Sequence, residues 1–441
     1  MSTAASAEPG PFLRLLQRVV AVRPEEAPAV GWCWLYAFAL LAANYILTPI
    51  RDQMAIAGDV RNLKWLFTAT LIGTILFNIP FAWLVKRLPR SRFIPLTYRF
   101  LAVLLLLFGA ALHIAGKEQT IWIGRVFFIW VSITNLLAIS VFWQLNVDLF
   151  KPEQGKRLFS FIAAGATIGA IVGSAFISGF ARTLSTPVLL IAAAVLFEVA
   201  VFCAGRLGKL SPALHHRPQA AEERAIGGGV LAGILHTFRS PYLLGVSVFL
   251  LLYSVTSTFA YSQQQFIVSH ALTDKGAQTA FLGNINFGVN TLALILQLFL
   301  AGRIVLTLGV AVALAIVPVV TMAGFAALAA SPTLAVIGIF QVVRRGTEYA
   351  VTRPAREVLY TVVSREDRYK TKGFIDTFVY RLGDQVGIWS GSMFAEAGVM
   401  LAPLAAIGVA AVWLVTALWL GHRQRDLEAE RGRLDEGAAH F

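Results

Sequence analysis

The chain has 441 residues, 57% of them hydrophobic and 14% charged, and its mean hydropathy of +0.70 lies far outside the range of soluble globular domains. A net charge of +13 invites a nucleic-acid reading, but the basic residues gather in alternate loops between apolar stretches, which excludes it. Cys33 and Cys203 both fall inside apolar stretches and supply neither a disulfide framework nor a cysteine metal site.

A membrane span needs about 20 mainly apolar residues. The sequence predicts twelve, near 28–50, 63–85, 93–116, 120–145, 158–181, 186–206, 241–265, 279–301, 304–329, 332–351, 373–395 and 397–421, the eleventh being the least hydrophobic. Residues 1–27 form an N-terminal tail, 28–206 a first six-helix half, 207–240 a flexible linker containing His215 and His216, 241–421 a second half and 422–441 a C-terminal tail. With the N-terminus in the cytoplasm, the opposite side receives only Arg51, Arg61, Lys64, Lys117, Arg182 and Lys275, and the remaining loop and tail bases lie inside. That asymmetry predicts a multi-pass protein with both termini cytoplasmic. Abundant Ala and the preference for Arg over Lys point to a bacterial inner membrane.

The first span closes on Asn44, Thr48, Arg51 and Asp52, which share a helix face and form either a water-lined gate or an interfacial helix end. The fourth ends in Phe142-Trp143 and Asn146, and the fifth carries Gly165, Gly169 and Gly173, a side-chain-free ridge that permits close helix approach. Tyr253, Ser257, Tyr261 and Gln264 or Gln265 line one face of the seventh span, and Gly283, Asn286, Asn290 and Gln297 one face of the eighth. Two such stripes predict a shared aqueous cavity.

Charge is densest from Arg344 to Asp384. An ionisable side chain at bilayer depth costs about 2.5–3.5 kcal/mol on insertion scales, so it is kept where it meets a partner, a cavity or a substrate. Gln341, Arg345, Glu348 and Thr352 share a face, and Arg344 and Glu348 have ion-pair spacing. Either acids and bases lock two helices together, or the surplus of bases holds an anion, which arginine can grip bidentately. The stretches DLFKPEQGKRLFSFI (148–162) and VLYTVVSREDRYKTKGFI (358–375) each lead through a polar loop into a Phe-Ile helix start six spans apart, which implies two parallel halves.

Arg51-Asp52, Phe142-Trp143 with Asn146, Lys156-Arg157 with Phe159, and Tyr349, Pro354, Arg356-Glu357, Tyr360, Lys370, Lys372, Ile375-Asp376 and Leu382-Gly383 follow one another in an order that resembles the bacterial and plastid ATP/ADP antiporter family. The resemblance implies a major facilitator-like fold and exchange of nucleotide for nucleotide. Family exchangers place a lysine just after the Arg-Asp pair, where this chain has Met54, and an acid in the fourth helix, where it has Val131. Thr256, Thr258 and glutamines stand where the family has an acid and a basic cluster.

The expectation is an all-α polytopic membrane protein, twelve transmembrane helices in two major facilitator-like halves, with no enzymatic motif, cofactor or metal site. Its partners would be the bilayer and a small anionic substrate, with no nucleic acid, and the chain would act as a monomer. Arg51, Arg345, Arg356, Lys372 and Arg381 would attract the anion in a secondary active transporter of nucleotides or related organic anions. Gln264, Asn286 and Asn290 would contact its polar groups, and Asp52, Glu348, Asp376 and Asp384 would hold the cations or carry a proton. The alternative is a non-transporting scaffold or sensor on the same fold.

Overall fold

Apolar runs of this length can satisfy their backbone N–H and C=O groups away from water only within helices or closed barrels. In the computed structural model, which describes residues 22–150, 152–214, 237–238, 240–363, 371–397 and 401–439, the elements formed are helices. His215, His216 and most of the tail before the first span lie outside the described residues.

The helices are α1 (Ala27–Ala57), α2 (Leu63–Arg87), α3 (Arg90–Ile114), α4 (Lys117–Leu149), α5 (Pro152–Phe180), α6 (Thr186–Leu214), α7 (Pro241–Ala271), α8 (Lys275–Phe299) and α9 (Ala301–Ala330). A 3₁₀ turn, Val60–Asn62, leads into α2. Helix α10 runs as Leu334–Thr347, a π-helical turn Glu348–Thr352, and Arg353–Leu359. Helix α11 comprises 371–374, a second π-helical turn Ile375–Val379, and Tyr380–Ala397, and α12 is Leu401–Ala439. Ten of the described helices are long and apolar enough to cross a membrane; α10 and α11, interrupted by π turns and carrying the charges, are not among them. The expected all-α, multi-pass fold is the one that forms.

The chain divides into two compact units, residues 1–54 with 73–219, and residues 55–72 with 220–441. In the first, the Tyr36 hydroxyl of α1 donates to Tyr98 of α3 at 2.7 Å, and Tyr98 donates to the Ala138 carbonyl of α4 at 2.8 Å, so two fully buried phenols are satisfied in series. Phe142 packs edge-on against Tyr36, Trp143 reaches Phe159, and Asn146 donates to the Phe142 carbonyl. The Phe-Trp signature with its asparagine is thus interior packing.

The glycine ridge of α5 lies on α1. A Cβ at Gly165, Gly169 or Gly173 would run into backbone atoms of Trp34, Phe38 or Ala42, which repeat at the same interval of four. The second unit has its own version. Gly383, Gly387 and Gly391 of α11 bring that helix against Ser254, Val255 and Phe259 of α7 so closely that a Cβ would meet each neighbour at 3.0 Å or less. Helix α11 therefore stands to α7 as α5 stands to α1, an internal repeat carried by backbone proximity. Trp413 of α12, packed on Phe249 and Tyr253 at 5.5 and 5.7 Å, anchors the core beside it.

Just before α1, Glu26 is 3% exposed and accepts hydrogen bonds from the Arg23 amide at 3.0 Å, from Gln154 at 2.8 Å and from Arg157. Burial alone would raise its carboxyl, but these donors outweigh it and hold the group below its ordinary 4.5. A depressed carboxylate contributes stability that is complete above the unfolded-state value and disappears as pH falls through the folded one. Thermal unfolding should therefore move to lower temperature on acidification below the carboxyl's ordinary value of 4.5. Glu26→Gln should flatten that dependence.

Candidate functional site

The π-helical turn of α10 begins at Glu348, after the last turn of the first segment, which carries Arg344 and Arg345 and ends on Gly346-Thr347, and widens the helix from that point. Thr352, within the turn, donates to the Ala313 carbonyl of α9 at 3.2 Å and ties the distorted segment down. Adjacent residues on a helix point about 100° apart, so Arg344 and Arg345 face different neighbours. Arg345 reaches α8, its Nη1 donating to Asn286 Oδ1 at 3.0 Å. Arg344 turns to α7, where its guanidinium carbon lies 5.6 Å from the centre of the Tyr253 ring.

Arg344 is 1% exposed, and its Nε and Nη2 have no acceptor. Glu348, 2% exposed, has an Oε2 with no donor. The ion pair expected from their four-residue spacing does not close among the described residues: the backbone between them is still α-helical, the Glu348 amide bonding the Arg344 carbonyl, but the Arg344 guanidinium turns to the Tyr253 ring instead.

Helix α11 places Asp384, 8% exposed, against α7. Its Oδ1 accepts from Ser254 at 2.6 Å and Thr258 at 3.4 Å, and its Oδ2 lies 3.5 Å from Arg381 Nη1. The neighbouring Gly383 makes this approach possible. Asp376, in the second π turn, is 3.9 Å from Arg356 Nη2, too far for a hydrogen bond, and its Oδ1 has no donor. Lys372 pairs with Glu357 in a half-exposed bridge and sits 5.7 Å from the Tyr360 ring. On the first unit, Arg51 donates through Nε and Nη2 to Asp52 at 2.9 and 2.7 Å and through Nη1 to Ser132 at 3.4 Å.

The amides behave differently from one another. Asn286 receives Arg345, Asn290 donates to the Asn286 carbonyl of its own helix at 2.8 Å, and Gln264 is buried with an unsatisfied Oε1. Gln341 joins α10 to the Ala260 carbonyl of α7 at 3.2 Å.

Of the five cations singled out in the sequence, Arg51, Arg356, Lys372 and Arg381 thus each have a carboxylate beside them, and Arg345 has an amide. Among the described residues, the buried guanidinium lacking a carboxylate is Arg344, which the sequence places in the charged 344–384 stretch but not among the expected substrate contacts. The available signal was a pair of adjacent arginines in one span, only one of which can share the Gln341–Glu348 face. Met54 and Val131, at the positions where the antiporters carry a lysine and an acid, are both buried. No cluster of three His, Cys, Asp or Glu suited to a metal ion occurs among the described residues.

A buried guanidinium with unused Nε and Nη2 donors beside a second arginine offers the charge and the N–H groups that an oxyanion accepts from. The profile of the Major Facilitator Superfamily matches residues 33–354. The chain belongs to that superfamily. This Major Facilitator protein is 22% identical over 335 residues to ADP,ATP carrier protein 1 of Chlamydia trachomatis serovar D, a match covering 68% of the chain and 62% of the relative. It is 20% identical over 341 residues to the ADP,ATP carrier protein 1 of Chlamydia pneumoniae, covering 67% and 66%. The matched stretch is thus less than two thirds of either relative's length. The family to which the sequence motifs point is thus the one in which these weak matches fall. Among solved structures, a bacterial homologue of the human lysosomal transporter Spinster, inward-facing and unoccupied, matches with a TM-score of 0.57 at 14% identity, covering 94% of this chain and 98% of that one. An inward-facing bacterial homologue of the iron transporter ferroportin matches at 0.64 and 11% identity, covering 89% and 98%. At those identities the likeness concerns the fold.

Proposed function

We propose that the protein is a secondary transporter that exchanges small organic anions, nucleotides or close relatives, by alternating access. The observation that carries this reading is Arg344, a fully buried cation whose Nε and Nη2 await acceptors. The ADP,ATP carriers to which the chain is similar supply the substrate class. Within the second unit, Arg345, Arg381, Arg356 and Lys372 raise the local positive potential, Asn286, Asn290 and Gln264 meet polar groups of the substrate, and Glu348, Asp376 and Asp384 balance the cations when the site is empty; on the first unit, Arg51 is the proposed anion contact and Asp52 its counter-charge. Both termini face the cytoplasm of a bacterial cell, in keeping with the distribution of basic residues.

A second reading, a scaffold or sensor that moves nothing, is favoured by one feature, the carboxylate beside each of Arg51, Arg356, Lys372 and Arg381. Ligand-dependent unfolding separates the two. Purified protein titrated with ATP, ADP, AMP, phosphate and dicarboxylates should show saturable stabilisation by one class, worth about 2.7 kcal/mol at a hundredfold excess over Kd. The same stabilisation should be missing from Arg344→Gln. A flat response to all of them would favour the scaffold.

A further inference from the structure

The first unit carries on its outside a charged pair that the transport reading leaves unused. Arg99 of α3 and Glu198 of α6 lie 3.6 Å apart, Nε to Oε2, with side chains 63% and 50% exposed. Glu198 is at the middle of the span Thr186–Leu210, about 18 Å from either end, and Arg99 is about 10 Å past the start of the span Arg92–Ile114. A hydrocarbon core is about 30 Å thick, so both lie within it. Around them Val103 and Leu106 of α3 and Val195 and Phe202 of α6 are exposed and apolar, which marks a face turned to lipid and not to water. At 3.6 Å the pair has no hydrogen bond, and neither side chain makes one elsewhere among the described residues. Ionisable groups at this depth normally face a bundle interior or a water-filled cavity. These face outward.

We propose that the α3–α6 face binds a second copy of the chain about a two-fold axis along the membrane normal. Such an axis preserves depth and sets Arg99 of each copy opposite Glu198 of the other, so four charges close into one alternating ring with the apolar side chains packed around it. Gly205, two turns from Glu198 on the same face, would have nothing within 4 Å of a Cβ and leaves room for the approaching helix. The charge pattern selects the occupant. One base and one acid at one level complement their own copy, whereas a lipid phosphate would have to leave the interface and would meet Glu198 beside Arg99. The dimer stands against the monomer expected from the sequence and uses no residue of the transport reading.

The test places the full chain, labelled with donor and acceptor fluorophores, in phosphatidylcholine liposomes diluted until chance proximity gives no energy transfer. Wild type should show transfer. Arg99→Glu makes the face doubly acidic and Glu198→Arg makes it doubly basic, so each alone should lose transfer. Donor-labelled Arg99→Glu mixed with acceptor-labelled Glu198→Arg should regain it, because the unlike faces attract. A pair that merely ties α3 to α6 within one chain is not repaired by mixing. Should either variant fail to fold, the neutral double variant Arg99→Gln with Glu198→Gln, monodisperse in size exclusion, should weaken the dimer about tenfold. The proposal is overturned by wild type without transfer, by undiminished transfer in the folded variants, or by folded single variants that do not recover on mixing. Transfer seen only after anionic lipid is added would overturn it as well and assign the charges to lipid headgroups.

Discussion

Arg344→Met should raise the thermal stability of the purified protein while abolishing anion exchange. Most buried arginines would behave in the opposite way, because removing one partner of a buried pair strands the other charge, at about 3–5 kcal/mol. Arg344 has no carboxylate partner among the described residues, and its Nε and Nη2 are unsatisfied. Its contact with Tyr253, 5.6 Å to the ring centre, contributes about 2 kcal/mol at most. Replacing even a buried ion pair by apolar side chains of similar volume stabilises by about 1–4 kcal/mol in favourable cases, and a buried charge with no counter-charge has less attraction to lose. Methionine matches the apolar stem of arginine but is three heavy atoms smaller, so the space left by the guanidinium takes back part of this gain; the melting temperature should still rise. Arg345→Met should do the reverse, since it leaves Asn286 Oδ1 without its 3.0 Å donor, at a cost of about 1–3 kcal/mol. Opposite shifts from adjacent residues separate a site kept for a ligand from one kept for the fold; a lowered melting temperature in both would make Arg344 structural.

Gly169→Val should yield no folded protein. Helix association in a membrane depends on close packing rather than on exclusion of water, and a side chain at 169 meets the backbone of Phe38, which cannot swing aside. Ordinary overpacking costs about 1–3 kcal/mol because side chains adjust; here the whole of α5 must lift from α1. Gly387→Val should fail in the same way against Val255 and Thr258 of α7. Gly179→Val, on the same helix as Gly169 but with nothing within 4 Å, should be tolerated. Fluorescence-detected size exclusion reads all three. A monodisperse Gly169→Val would show that the ridge is not what seats α5.

What the sequence discloses and what it hides follow from periodicity. Long apolar runs reveal the helices directly, and the first ridge is plain because Gly165, Gly169 and Gly173 stand among small and apolar residues. The second is masked because Asp384 and Trp389 interrupt Gly383, Gly387 and Gly391. Helix faces repeat at 100° per residue only in a regular α-helix, and a π turn breaks that rule. Glu348 begins such a turn and Asp376 lies in another, so residues beyond them leave the faces that 100° spacing assigns, whereas the Arg344–Glu348 pair fails within regular helix because Arg344 turns to the Tyr253 ring, a side-chain choice that spacing does not reveal. Ser254 and Thr258 carry no charge and so gave no signal, yet they are the hydrogen-bond donors that hold Asp384.

Counterflow in proteoliposomes addresses the buried cations of α10 most directly. Vesicles loaded with ADP, or with whichever anion stabilises the protein, are supplied with the labelled anion outside, and wild type is compared with Arg344→Met at equal protein. Saturable uptake that requires internal anion and falls at least about a hundredfold in the variant, equivalent to about 2.7 kcal/mol, is the expected result. Uptake by the folded variant at the wild-type rate would mean that Arg344 never meets the substrate.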